Sequence, residues 1–334
     1  LNHVVSSKSI KTHRGNIMKT HHRMWRTLRA AAVAVTSAAM MAALGSAPAR
    51  AEASEVTIAK QYGLLFLPLI IMEQNKLMEK QAEKAGLPNL KVNWQRMTGG
   101  NVMNEALISG NLDFASGGVP PFIILWGKTQ GNLDVRAVAA MDSLPIYLNT
   151  RDPKVKSIKD FGDNNRIAMP AAKISIQAIM LQMSSMLSNM GNIDSHFASP
   201  PYNFQELTKP GIHKVLDSYD VLGPATCEVV WTTAKFRQNN PTIYKAFLAA
   251  FQEAIDLINN DKKQAAEIYV KSTNNKESLE DTLAIINHPH TEYTTTPKNI
   301  MKYATFMNQI GLVKSVPKDW KELFFPEVHN LPGS

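Results

Sequence analysis

The sequence predicts an α/β fold of two lobes. Three observations carry that expectation: short β-rich runs alternate with helical segments, glycine-rich loops follow those runs, and one pattern recurs about eighty residues later. Taking the elements in order, Glu55-Val-Thr-Ile-Ala59 is a β-rich run that leads through Gln61-Tyr-Gly63 into a helix. Pro68 stands in the first turn of that helix, where a missing N–H costs nothing. The helix is expected to run through Met72 and Leu77 toward Lys84 and to stop at Gly86-Leu-Pro88. A second strand, Lys91 to Met97, enters Gly99-Gly-Asn101 and a helix over Val102 to Ser109. A third, Leu112 to Ala115, enters Gly117-Gly-Val-Pro-Pro121 and another helix, and Val135 to Met141 forms a fourth. This spacing predicts a parallel sheet with right-handed crossovers, whose ligands gather beyond the strand C-termini.

The recurrence is Gly110-Asn-Leu-Asp113 with Pro120-Pro121, echoed by Gly191-Asn-Ile-Asp194 with Pro200-Pro201 at offsets of 81 and 80 residues. It predicts two related lobes. Asn149-Thr-Arg-Asp-Pro153 is polar and ends in proline, as an outward crossing would; Gly223-Pro224 suits the return, before a strand over Glu228 to Thr233. Lobe 1 is accordingly assigned 52–152 and 226–334, and lobe 2 153–225. Beyond Pro241, the residues Ile243, Phe247, Ala250, Phe251, Ala254, Ile255 and Ile258 keep helical spacing, so the C-terminal third is expected to be helical packing.

Charge belongs to the leader rather than to the fold. Residues 1–51 hold eight basic side chains and no acid; removing them from 36 leaves 28 basic against 28 acidic, so a nucleic-acid partner is not expected. Met24-Trp-Arg-Thr-Leu-Arg29, the apolar Ala30 to Leu44, and small residues at Ala47-Pro-Ala49 or Ala49-Arg-Ala51 read as a secretory signal peptide. The preceding residues read as an upstream extension, with translation starting at Met18 or Met24, and the destination is the periplasm. Cys227 is the single cysteine; in the apolar run Thr226 to Thr233 it is expected to be buried.

At this point four segments resemble a known family. Val56-Thr-Ile-Ala-Lys-Gln-Tyr-Gly63, Ser109-Gly-Asn-Leu-Asp-Phe-Ala-Ser-Gly-Gly-Val-Pro-Pro121, Ser157-Ile-Lys-Asp-Phe-Gly162 and Ala198-Ser-Pro-Pro-Tyr-Asn-Phe204 are similar, in order and spacing, to the periplasmic solute-binding proteins of ABC importers in the nitrate, sulfonate and taurine group. The resemblance implies the type II periplasmic-binding-protein fold, two α/β lobes joined by two crossings. It also implies a monomeric receptor, not an enzyme, that passes a small anionic ligand to an ABC permease and ATPase without a cofactor. There is one departure. Proteins of this group usually carry a further strand and helix before the strand that enters Ser199-Pro200-Pro201, whereas Ile174 to Asn189 passes here directly to Gly191-Asn-Ile-Asp194. The second lobe is expected to be shortened by a central strand, with unpaired edges and a smaller core.

Candidate ligand contacts follow from the loops. Gln61, Tyr62 and Gly63 end the first strand, Gly99, Gly100 and Asn101 the second, Gly117 and Gly118 the third; glycine lets backbone N–H groups at helix N-termini approach an anion. The alternative for each glycine is a tight turn alone. From the second lobe, Lys173 offers charge and Ser175 a hydroxyl, with a solvated Lys173 as the alternative; His196 is either a ligand contact or a satisfied core histidine. His288-Pro-His290-Thr-Glu292 reads as a surface loop rather than a metal site, and Met180, Met183, Met186 and Met190 as a core-facing helix stripe. No P-loop, nucleophile elbow or zinc histidine pair is present. The rival readings are an enzyme resembling the thiamine-pyrimidine synthases, which need a cysteine-rich motif, and a ligand-sensing module.

Overall fold

The structure, a computed structural model, describes residues 51–162, 165–171, 173–185, 195–274 and 276–334. The signal-peptide segment, the echo at Gly191–Asp194, Met186 and Met190 therefore lie outside the described residues. Glu52–Ser334 forms one compact unit. It begins with β1 (Glu55–Lys60), which buries Val56 and Ile58, and a short 3-10 turn at Leu64–Phe66. The expected single helix is two, α1 (Leu67–Asn75) and α2 (Leu77–Lys84), because Lys76 adopts a left-handed conformation with φ 52°. That break lets the apolar α1 sink fully into the core while α2 turns its charged face outward. Next come β2 (Lys91–Arg96), α3 (Gly100–Ile108), β3 (Ala115–Gly118), α4 (Val119–Thr129) and β4 (Arg136–Ala140). β3 starts where the expected strand ends and runs into both glycines, since Ser116 to Gly118 are the residues that pair across the sheet.

The chain then passes through β5 (Asp142–Ser143) into a second sheet. Its elements are β6 (Tyr147–Thr150), β7 (Ile167–Ala168), α5 (Ile176–Ser185), β8 (Ser195–Ala198), α6 (Tyr202–Leu207), β9 (His213–Asp217) and α7 (Ser218–Leu222). The return is β10 (Glu228–Thr232), followed by α8 (Ala234–Asn239), α9 (Pro241–Asn260), α10 (Lys262–Ser272), α11 (Leu279–Ile286), β11 (Glu292–Tyr293) and α12 (Ile300–Gln309).

In the first sheet β1 lies parallel to β2. Its other edge meets the approach to β3: Ala59 N–H donates to Phe114 C=O at 2.9 Å and Phe114 N–H to Thr57 C=O at 3.1 Å. β10 runs antiparallel between β3 and β4, which sets the spatial order β2-β1-β3-β10-β4. The sheet is thus mixed, not wholly parallel. The reason is topological: the chain leaves beyond the C-terminal end of β4 and returns at that same end, so the returning strand must run the other way.

The second sheet repeats the plan in the order β7-β8-β6-β9, with β7 parallel to β8 and β6 antiparallel to both of its neighbours. Here β6 is the strand that arrives from the other sheet, the counterpart of β10, while β7, β8 and β9 match β1, β3 and β4. The position that β2 fills in the first sheet has no counterpart among the described residues. That position is an edge. The sequence suggested a missing central strand, yet among the described residues β7, β8, β6 and β9 pair without interruption. A second difference concerns the outward crossing: Asn149 and Thr150 belong to β6, and the chain crosses earlier, over Leu144–Ile146. Asn149 looks like a linker residue because it is polar, but it is buried and its Nδ2 donates to Asn203 C=O at 2.8 Å and to Glu206 at 2.9 Å.

The C-terminal helices pack as their periodicity requires. All seven apolar positions read on α9 are buried, and Phe247 stacks on Phe114 with ring centroids 4.1 Å apart. Glu52 caps the first turn of α9, accepting from Thr242 N–H at 2.8 Å and Ile243 N–H at 2.9 Å. At the end of β1, Lys60 is fully buried and meets Glu73 of α1 at 2.9 Å. Burial pushes its ammonium pKa down, against the pull of Glu73. Removing one partner of such a pair strands the other, whereas replacing both with apolar chains does not. Glu73→Ala is expected to cost about 2 kcal/mol in urea denaturation, discounted because Glu73 is partly exposed, and the double replacement Lys60→Met with Glu73→Leu close to nothing.

Candidate functional site

A cavity of about 190 Å³ lies where the loops of the two sheets meet. Eight of the residues read from the sequence border it: Gln61, Tyr62, Gly99, Gly100, Asn101, Gly118, Ser175 and His196. Three do not. Lys173 is exposed and lies outside the lining. Gly117 lies outside the lining, packed beneath it: a Cβ there would sit 3.1 Å from both Gln61 Nε2 and the Trp231 ring, so its smallness serves close packing. Gly63 supplies a backbone shape, with φ 97° and ψ 171°, and brings Leu64 N–H to Pro200 C=O at 3.1 Å, joining the loop after β1 to the loop after β8.

The helix ends around this cavity are chemically unequal. α3 starts at Gly100 with no side chain capping it, so the N–H groups of its first turn are offered toward the space that Gly99, Gly100 and Asn101 border. α4 has little to offer. Pro120 and Pro121 have no N–H, and Val119 N–H is spent on Cys227 C=O at 3.1 Å. At α5 the Ser175 hydroxyl accepts from Ala178 N–H at 3.1 Å, so it caps its own helix. Of these three helix ends, α3 is the one whose first-turn donors no side chain caps.

Several lining residues escaped sequence reading. Gln177 Nε2 donates to Ser199 Oγ at 2.9 Å, tying α5 to the loop after β8. Tyr62 and Tyr202 stand at the rim, 61% and 45% exposed. The Arg96 guanidinium lies 5.1 Å from the Tyr62 ring centre. His196 is no core residue; its imidazole is nearly half exposed and paired with Glu206, and it also borders a more open recess with Arg151 and Arg166. Glu228 is the least expected. It sits in the apolar run Cys227-Glu-Val-Val-Trp231, and a carboxyl in a fully buried strand is the one signal that could have singled it out.

Glu228 adjoins Asp142, whose Oδ1 accepts from Glu228 N–H at 3.3 Å. Burial, together with their mutual repulsion at Asp142, holds both carboxyls well above the usual carboxylate range. A carboxyl whose folded pKa is raised stabilises the fold fully below its unfolded value, near 4, and that contribution is lost as pH rises through the folded value. Asp142→Asn is therefore expected to flatten the fall in stability between pH 5 and pH 8, by up to about 1.4 kcal/mol per pH unit, in paired urea titrations. Cys227 is buried as read: its thiol donates to Leu144 C=O at 3.2 Å, and burial beside Asp142 pushes its pKa up.

The features set aside in the sequence pack as structure. His290 stacks on Tyr219 at 3.6 Å, His288 meets Phe204 edge-on, and no cluster of three metal-ligating side chains occurs among the described residues. Met180 is buried and Met183 packs against the core. No helix among the described residues is long and apolar enough to cross a membrane.

Comparison with solved structures matches this architecture. The alkanesulfonate-binding protein SsuA from Xanthomonas axonopodis pv. citri, bound to MOPS, superposes with a TM-score of 0.64 at 16% identity over 80% of this chain and 96% of that one. The periplasmic aliphatic sulphonate binding protein SsuA from Escherichia coli gives 0.62 at 17% over 82% and 92%. The periplasmic nitrate-binding protein NrtA from Synechocystis PCC 6803 gives 0.64 at 16% over 81% and 84%. No curated protein sequence matches the chain. Residues 163–272, which span most of the second sheet and the return into α10, match the NMT1-like family. With its two sheets, its paired crossings and these likenesses, the chain has the periplasmic-binding-protein fold, and its 163–272 segment matches the NMT1-like family.

Proposed function

We propose that this protein is a periplasmic solute-binding receptor, exported by the signal in residues 1–51, that captures a small ligand bearing an acidic group and delivers it as a monomer to an ABC permease and ATPase. The observation that carries this reading is the single cavity bordered both by loops of the first sheet, at Gln61, Gly99–Asn101 and Gly118, and by loops of the second, at Ser175, His196 and Ser199. A ligand seated there touches both halves, and its binding favours their closure. The acidic group belongs at the uncapped first turn of α3. One helix terminus supplies ~0.3 to 1 kcal/mol, rising to ~2 when partly buried, whereas micromolar binding needs about 8 kcal/mol. Contacts from Gln61, Asn101, Gln177 and Ser199 make up the difference only when both halves engage. Binding occurs without turnover. Isothermal titration of the full chain with nitrate, alkanesulfonates, aminosulfonates and small carboxylates is expected to find at least one ligand at micromolar Kd; absence of binding to all of them by folded protein rejects the receptor reading.

A further inference from the structure

Glu228 stands out as an ionisable group that borders the cavity and has a buried oxygen the protein leaves unmatched. It borders the cavity while only 4% exposed, and its Oε2 has no hydrogen-bond partner. The neighbouring Asp142 is fully buried and its Oδ2 is likewise without a partner. Among the described residues no lysine, arginine or histidine forms an ion pair with either carboxyl, and no lysine or arginine borders the cavity. Two adjacent carboxyls in a dry site are costly without a countercharge or donors to satisfy them. Elsewhere this fold answers the same problem from within: Lys60, equally buried, meets Glu73. Glu228 borders the cavity, so a partner for it can come from what the cavity holds.

Resting on the receptor reading, we infer that Glu228 receives a cationic nitrogen of the bound solute, and that the ligand is a small zwitterion rather than a simple inorganic or alkyl anion. The two poles of such a molecule suit the two chemistries present. Its acidic group meets the N–H groups that begin α3, where the dipole favours negative charge, and its ammonium meets the Glu228 carboxyl. The ammonium also relieves the repulsion between Glu228 and Asp142, which is greatest when both ionise; burial disfavours their ionisation, and a nearby positive charge favours it.

Matched pairs test the inference on the full chain by isothermal titration: taurine against ethanesulfonate, and β-alanine against propanoate, each pair differing in the amino group. In at least one pair the amino compound is expected to bind about tenfold more tightly or better, because a charge-assisted hydrogen bond in a dry site exceeds the energy of one decade in Kd. In Glu228→Gln, which keeps shape and length, that preference is expected to fall to within about twofold. Equal or tighter binding of the des-amino compounds by the wild-type protein, or a preference that survives Glu228→Gln, overturns the role of Glu228 while leaving the receptor reading in place. Failure of folded wild-type protein to bind either member of either pair overturns the inference as well. The wild-type preference is measured without any variant, so misfolding of Glu228→Gln does not shield the proposal.

Discussion

Phe114→Ala is expected to destabilise the protein by about 4 kcal/mol, the largest effect of any substitution considered. The ring is completely buried just before β3. It stacks on Phe247 of α9 with planes 8° apart and meets Phe236 of α8 edge-on at 5.2 Å. One side chain therefore holds the sheet to two helices that follow it by more than a hundred residues. Truncation loses the transfer free energy of the ring, leaves a cavity between rigid elements, and forfeits two aromatic contacts of about 0.5 to 1.5 kcal/mol each. The backbone pairing of Phe114 with Thr57 and Ala59 survives, so a drop in the urea midpoint with native far-ultraviolet dichroism is the expected signature. A loss below 1 kcal/mol would mean that the helices are held by other contacts.

Gly63→Ala is expected to cost about 3 kcal/mol and to weaken solute binding by tenfold or more. Two penalties combine. At φ 97° and ψ 171° the backbone occupies a region essentially reserved for glycine, costing about 1 to 3 kcal/mol for any other residue. A Cβ would also stand 2.8 Å from the Pro200 carbonyl oxygen, a backbone atom that cannot rotate aside. Relief requires the loop after β1 to part from the loop after β8, and those loops bring Tyr62 and Tyr202 to the cavity rim. Gly86→Ala is the control, because Gly86 has φ 88° but nothing within 4 Å of its would-be Cβ. It is expected to cost about 1 kcal/mol, the backbone penalty alone, and to leave binding unchanged. Equal losses for the two variants would assign the whole effect at Gly63 to its dihedral angles.

Local pattern was legible wherever the physics was local. The burial of α9 followed from spacing, the entry of α1 from Pro68, and the end of α2 from Gly86. The loops after β1 and β2, read from strand ends and glycines, border the cavity. Residues one or two positions apart then met opposite fates. Gly118 borders the cavity while Gly117 is packed under it between Trp231, Gln61 and Gly100, a difference that depends on how β3 pairs with β10. Ser175 turns inward to cap α5 while Lys173 stays in solvent. Glu228 read as one polar residue in an apolar strand; its meeting with Asp142 and the cavity depends on pairing between segments 86 residues apart.

By itself the sequence determined the α/β class, the order of most elements and the core face of the helices, because each rests on periodicity or turn chemistry within a few residues. Only the tertiary structure decided that β10 and β6 run against their neighbours, that the described strands of the second sheet pair without interruption, and that the cavity is bordered both by an uncapped helix end and by an unmatched carboxyl. Those outcomes depend on where the chain re-enters each sheet and on which distant strands then align, a long-range choice that no local run of residues encodes.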